Sequence, residues 1–531
     1  MSKLVNRCLL FISTIRYLKF SQVYFQFIQK LKRTFSVTGN FVDFPIIINT
    51  NIYFDFRPPQ KQLYFDKKFR FLNLEMLFEE EIDWNFMEYG KLWNYNLEYF
   101  DYLQQQDITV SDKKALIYDF YEFSLKNKRP LEPYPVSLRA INIIRFTIEN
   151  CLEKQVFHEY LYQELTYLNR NYEFHLLGNH LLENAFALCL GGAFFSNHSW
   201  HDKAIRILTK ELQEQILPDG AHFELSPMYH KIIFFRLLEL IDWYSNYEKC
   251  NQEFLEFCRE KASLMRSWLE NITFENGDIP LFNDAARGIA FSTSYLIDYA
   301  EKLNIYKNEI SLGASGYRSF KSGYYEIKID CAAIGASYQP GHAHADSLSF
   351  ILYYQNKPLF VEQGTSTYQI GSRRNLERST QAHNTVVVNN KNQSQVWGGF
   401  RVGKRANTRI LRDEITVLEV EHDGYKSEGV NHIRRFDFSS NVINIHDFIK
   451  GTNTKNVAYF HLTPQIYPVQ KGEYIIFLTD EVLCEFLGAT HISLEKYQYA
   501  EQFNLYQEAI RIVIVFNSDL KTIIRFKNQT K

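Results

Sequence analysis

From about residue 70 the apolar positions fall at spacings of three and four. Ile205, Leu208, Leu212 and Ile216 mark one face of an amphipathic helix. Segments 112–126, 155–169, 181–195 and 254–271 have similar length and polarity. Met228 to Trp243 is apolar on most faces, the pattern of a buried helix. Turn-forming runs separate these segments: Lys128-Arg129-Pro130-Leu131-Glu132-Pro133, Pro218-Asp219-Gly220 and Asn276-Gly277-Asp278. Helices joined by short turns up to residue 305 predict a layered all-α region, although periodicity alone does not close it into a ring.

Near Gly313-Ala314-Ser315-Gly316 the pattern changes to short β-branched and aromatic runs bounded by turn residues. These are Tyr324–Ile329, Ser349–Tyr354, Thr385–Val388, Ile415–Val420, Val442–Ile445, Ala458–Leu462, Tyr474–Leu478, Ile510–Phe516 and Thr522–Phe526. Their spacing predicts an antiparallel β-sandwich. The expected division is therefore a lead-in over 1–70, a helical domain over 71–310 and a β domain over 311–531.

Composition narrows the function. A chain of 531 residues exceeds one ordinary core, and 46% apolar with 23% charged residues fits a globular protein. A formal net charge of −2 argues against general nucleic-acid binding but leaves room for a local basic cleft. The 35 Tyr and 44 Phe can pack cores or stack on sugars, and composition does not separate the two. Seven cysteines, odd in number and without CxxC spacing, are neither a disulfide framework nor a thiolate zinc site.

At the N-terminus Lys3 and Arg7 precede Cys8-Leu9-Leu10-Phe11-Ile12, and Ser13, Thr14 and Arg16 end that run. A secretory apolar region needs roughly 7–15 residues, so no cleaved signal peptide is expected. Residues 15–35 read as a basic amphipathic helix, either docked on the body or in peripheral contact with a membrane surface.

Candidate chemistry concentrates between Gly341 and His383. His342-Ala343-His344 would place two imidazoles on one face if the segment were a strand. Glu362, Tyr368, Arg373, Arg374, Arg378 and His383 follow within a short span, and the arginines can hold anions bidentately or simply solvate an edge. Upstream, Asn179-His180 follows the turn signal Leu177-Gly178, where an asparagine could equally be a helix cap. Tyr229 follows Pro227, which suits a helix's first turn, and a helix tyrosine is ordinarily a core residue. Glu224 and His230 could orient it, His230 as support.

Several blocks in order carry a resemblance. GHAHADSLSF, VEQGTSTY, RSTQAHNTVVV and WGGFRVGKRA resemble the C-terminal domain of the heparinase II/III-like polysaccharide lyases, and GNHLLENAFAL and DGAHFELSPMYH resemble that family's helical domain. The resemblance implies an α+β multidomain fold, an incomplete (α/α) toroid followed by an antiparallel β-sandwich with the active site between them. It implies eliminative cleavage of an anionic, uronate-containing polysaccharide, with a host cell-envelope polymer a plausible substrate in view of the N-terminus; a cytoplasmic setting is the alternative to the envelope. The rival readings are a metal-dependent glycan hydrolase and a non-catalytic glycan-binding or assembly protein. By resemblance Asn179 neutralises the substrate carboxylate, His180 is a helper or base, Tyr229 is the acid and sometimes the base as well, and His342 and Tyr368 complete the catalytic set. His344, Glu362 and His383 fall where the family places metal ligands, a set suited to Zn2+. Glu362 departs from the usual aspartate there, and Gln363 from the usual proline. Arg139, Trp93, Arg373 and Arg374 are expected to bind substrate. Trp397 with Arg401 is expected to brace the two domains, and Asp284 and Arg287 are open between structural and functional roles.

Overall fold

The computed structural model describes residues 3–34, 46–59, 61–451 and 454–527. Two helices, Gly178–Phe194 and Pro227–Ser245, are buried along nearly their whole length. The more amphipathic Phe157–Arg170, His198–Gln215 and Gln252–Ile272 pack around them. Side-chain caps begin several of these helices: Asn197, Ser226, Asn251 and Ser292 each accept a first-turn backbone N–H. Pro133–Glu149 is a further buried helix, beginning at the last residue of the expected linker and absent from the helical segments the pattern marked. Pro133 hid it, because proline in a first turn lacks only an N–H that would be unpaired anyway.

The lead-in is more ordered than its pattern indicated. Strands Tyr64–Phe65, Lys68–Phe71 and Leu74–Leu77 form a small antiparallel sheet. Its Phe69 and Phe71 enter the helical core against Trp84 and Trp93. The N-terminal segment forms two helices, Lys3–Ile15 and Phe20–Thr34, rather than one over 15–35. Thr14 Oγ1 accepts from Trp397 Nε1 at 3.1 Å, Arg405 lies 3.7 Å over the Tyr17 ring, and Gln22 donates to the Tyr338 carbonyl at 3.2 Å. Trp397, with Arg401 stacked 4.8 Å over its ring, therefore holds the Lys3–Ile15 helix through Thr14, where the pair was expected to brace the two domains.

The β domain pairs a four-stranded sheet (Tyr317–Lys321, Tyr325–Asp330, Phe350–Tyr354, Lys357–Phe360) with a ten-stranded antiparallel one. Ile327 and Phe350 of the first share a core with Phe436, Phe460 and Ile514 of the second. The runs 510–516 and 522–526 are one strand, Gln507–Phe526, paired with Val482–Tyr499. The polar Asn517-Ser518-Asp519 does not end it because the partner strand bulges around Gly488, whose φ of +91° leaves room beside the Asp519 carbonyl.

The two parts meet over buried polar and aromatic contacts. Asp219 accepts from the Gly313 and Ser315 backbone and the Ser315 hydroxyl, and Phe274 stacks on Tyr353 at 3.8 Å. Loops of the β domain thereby lie against the first turns of the two buried helices.

Candidate active site

Leu177 (φ +63°) and Gly178 (φ +58°) turn the chain into the first buried helix. A Cβ at Gly178 would lie 2.3 Å from Glu224 Oε1, so only glycine lets that carboxylate reach the helix start. Glu224 accepts from the Asn179 backbone at 2.9 Å and from its side-chain amide at 3.1 and 2.8 Å. The capping role considered for Asn179 thus belongs to Glu224, and a carboxylate suits the positive end of a helix. His180 lines the cleft beside Tyr134, ring centroids 4.4 Å apart, with Nδ1 3.2 Å from Glu173. Burial alone would lower its pKa, but the Glu173 carboxylate outweighs it and holds the imidazole above its ordinary value.

Ser226 caps the second helix and donates its hydroxyl to the Asp284 carbonyl at 2.6 Å, tying that first turn to the loop carrying Asp284. Tyr229, in the same turn, stacks on His342 at 3.8 Å, and its hydroxyl lies 3.3 Å from that of Tyr368. Burial pushes both phenols well above their ordinary range, so both are protonated at neutral pH. His230 faces the other way, hydrogen-bonding at His222 N and the Met265 carbonyl, and does not orient Tyr229.

Asp284 organises the β-domain side. It is fully buried and paired with both terminal nitrogens of Arg374, with His342 Nδ1 at 3.0 Å and with His344 Nε2 at 2.9 Å. Burial would raise its pKa, but Arg374 and the two imidazoles hold the carboxyl well below the usual range. An ionised carboxylate only accepts, so His342 Nδ1 and His344 Nε2 both carry protons. In neutral imidazoles the remaining nitrogens are then bare: His342 Nε2, 3.7 Å from Glu224, and His344 Nδ1, buried without a partner. His342-Ala343-His344 lies on a loop, not a strand; the shared carboxylate, rather than alternation, aligns its two rings.

These residues meet at a cleft of ≈ 900 Å³ lined by both domains, with Asn179, His180 and Tyr229 on one wall and His342, Tyr368 and Phe400 on the other.

Four expected substrate contacts lie elsewhere. Arg139 is 1% exposed and paired with Glu164 and Glu98. Trp93 is wholly buried, its indole donating to the Leu74 carbonyl at 3.2 Å; its neighbours Tyr95 and Asn96 line the cleft. Arg373 is spent on Glu377, Ser366 and the Gln498 carbonyl. Arg374 is buried on Asp284, 4.9 Å over the Tyr368 ring, where it positions catalytic candidates rather than substrate. Arg287 is engaged by Asp278 at 2.6 Å and Glu501 at 3.3 Å.

The expected set of metal ligands also changes by one member. The donor atoms of His344, Asp346 and His383 lie within 4.8 Å of one another. Glu362 instead accepts from His383 Nδ1 and Ser349 Oγ. The longer side chain holds the imidazole from behind, and Asp346, in the i+2 position of a His-x-Asp run, takes the third place. His344 Nδ1, Asp346 Oδ2 and His383 Nε2 are each buried without a hydrogen-bond partner. Three converging orphan donors, two imidazole and one carboxylate, fit a divalent cation, and Glu362 and Asp284 supply the outer carboxylates that fix imidazole ligands.

Residues 139–311 match the profile described as heparinase II/III N-terminus, and residues 306–527 match that described as heparinase II/III-like, C-terminal. A heparin-sulfate lyase of Bacteroides stercoris is 25% identical over 437 residues, covering 72% of this chain and 61% of the relative. The chain thus spans less than two thirds of that relative's length. A solved heparinase III superposes with a TM-score of 0.66 at 16% identity, covering 85% of this chain and 80% of the other. A mutant heparan sulfate lyase from Pedobacter heparinus gives 0.60 at 18% identity, covering 96% and 88%. At such identities the structures establish the shared fold: a helical N-terminal part followed by an antiparallel β domain.

Proposed function

Because the chain belongs to the heparinase II/III family, we propose that it is a lyase cleaving an anionic, uronate-containing polysaccharide by β-elimination. The names of its relatives point to a uronate–glucosamine polymer of the heparin and heparan sulfate kind. The observation that carries this reading is the convergence of Asn179, Tyr229, His342 and Tyr368 on one cleft.

Elimination next to a uronate requires three things: neutralising the carboxylate, removing the C5 proton and protonating the leaving oxygen on C4. The two Asn179 Nδ2 contacts go to the two oxygens of one carboxylate, too close together to take separate hydrogens, so one hydrogen is shared between them and the other is available to the substrate carboxylate. His342 Nε2 takes the C5 proton, and the C5–H electrons become the C4–C5 double bond. The C4–O bond breaks with its electron pair on oxygen, and Tyr229 supplies that oxygen's proton. The phenolate left on Tyr229 accepts from the Tyr368 hydroxyl, near the Arg374 cation, until the proton on His342 returns through solvent. A panel of uronate polymers tests this by ultraviolet absorbance of new C4–C5 double bonds. Saturated ends would instead mean a hydrolase, and intact polymer a glycan-binding protein.

His344, Asp346 and His383 would hold the metal, for which Zn2+ suits the donor set. When bound it supplies positive charge that offsets the buried carboxylates and fixes the loop carrying His342. About one ion per chain is expected, and His344→Ala should lose it and melt earlier, since an ion bound only to the folded state stabilises that state. Elemental analysis finding no metal in active, carefully prepared protein would remove the proposal.

The two N-terminal helices are proposed to contact an anionic membrane surface. Residues 1–40 hold seven Lys and Arg and no Asp or Glu, and Phe11, Ile12, Phe20 and Phe27 are more than half exposed on these helices. Among the described residues no helix is long and apolar enough to cross a membrane. Sedimentation with phosphatidylglycerol vesicles, but not with phosphatidylcholine ones, is expected; equal recovery from both would sink the idea.

A further inference from the structure

The cleft's charged lining is not uniformly neutralised. Lys91 is paired with Glu132, Arg145 with Glu239 and Glu149, and Arg236 with Glu183 and Glu239. Lys231, on the same face of the Tyr229 helix as Met228 and Ile232, is different. It is 7% exposed, lines the cleft, and its ammonium has no hydrogen bond or ion pair among the described residues. The neighbouring carboxylate, Asp278, gathers Arg287, Tyr353 and Asn276 on its Oδ2 and forms no ion pair with Lys231. Lys61, which also lines the cleft, donates to the Gly288 and Ile289 carbonyls at 3.1 and 2.7 Å and has no carboxylate partner among the described residues. Burying an ammonium without a counter-charge is costly, and proteins usually pair such a group or leave it out.

We propose that Lys231, supported by Lys61, forms an anion subsite that binds an acidic substituent of a sugar flanking the cleavage point, a sulfate or a uronate carboxylate. The subsite is separate from the Asn179 amide that meets the reacting carboxylate, and it rests on the reading of the cleft as a polyanion-binding groove. Burial, opposed by the Asp278 carboxylate and reinforced by repulsion from Lys61 and Arg287, brings the pKa of the Lys231 ammonium down to about 8. A bound anion relieves that penalty, which makes the group a selective receptor: it gains little from a neutral sugar and much from a charged one. A neutral methionine fills similar volume, so the fold has no need of the charge.

Lys231→Met is measured against wild type on an unsulfated glucuronate–N-acetylglucosamine polymer and on its sulfated counterpart. The expected result is a KM about tenfold higher with kcat nearly unchanged, as for lost binding energy common to ground and transition states. A rise confined to the sulfated polymer identifies sulfate, and a rise on both identifies the flanking carboxylate. An unchanged KM on both overturns the subsite. In parallel, sodium sulfate should raise the melting temperature of wild type more than that of Lys231→Met at matched ionic strength. If wild type cleaves neither polymer, the lyase reading fails, and this sulfate shift alone decides the subsite: equal shifts in the two proteins overturn it.

Discussion

Tyr229→Phe is expected to fold as wild type does and to lose turnover by a factor of ~10²–10⁴, the usual worth of a positioned acid. The hydroxyl's hydrogen-bond partner is the Tyr368 hydroxyl at 3.3 Å, while the ring packs on His342 at 3.8 Å. Phenylalanine keeps the stacking and removes the proton. An ordinary core tyrosine would behave the opposite way, losing about 1 kcal/mol of stability and little activity. Melting temperature and turnover on one preparation separate the two; an early-melting variant with wild-type turnover would mean that Tyr229 is not the acid. Asn179→Ala should be comparably harmful, and the double variant should cost less than the product of the single effects, because the two serve one transition state.

Asp284→Asn should cost both stability and activity. The carboxylate is the counter-charge of Arg374, and both are fully buried. Neutralising one partner leaves a buried guanidinium unpaired, a loss of about 3–5 kcal/mol. It also leaves one amide oxygen where two carboxylate oxygens fixed the protons on His342 Nδ1 and His344 Nε2; with the amide nitrogen facing His342, that imidazole takes the wrong tautomer and cannot accept a proton at Nε2, so turnover should fall on the order of 10³–10⁴. Asp284→Asn/Arg374→Met separates the two effects. Removing both charges should recover much of the stability, read by chemical denaturation, but not the activity. Recovery of both would show that Asp284 only balances Arg374.

How much of this was legible in the chain differs between fold and site. The apolar spacing of three and four through the helices, and its change near Gly316, follow from local geometry, so they identify a helical part followed by a β-rich one. The misses in the fold were also local conflicts. Pro133 reads as the end of a turn-forming run although it opens a helix, and Asn517-Ser518-Asp519 reads as a turn although the bulge at Gly488 absorbs it. Glu224 and Gly178 are both inside recognisable motifs, yet their close approach, Glu224 Oε1 against the Asn179 amide, has no signature in either.

The site's charged residues depended on partners distant in sequence. Arg139 reads as a cleft arginine until Glu164, 25 residues on, and Glu98 from another helix neutralise it. Asp284 gains its place from His342, 58 residues away, and from Arg374, 90 residues away. The exchange of Asp346 for Glu362 in the candidate metal set turns on which carboxylate reaches the gap between two rings and which stands behind one of them. Local sequence determines the period of an element and therefore which side chains share its face. Whether a charged group on that face is free for a ligand depends on whether an opposite charge from another element meets it, and only the folded chain settles that.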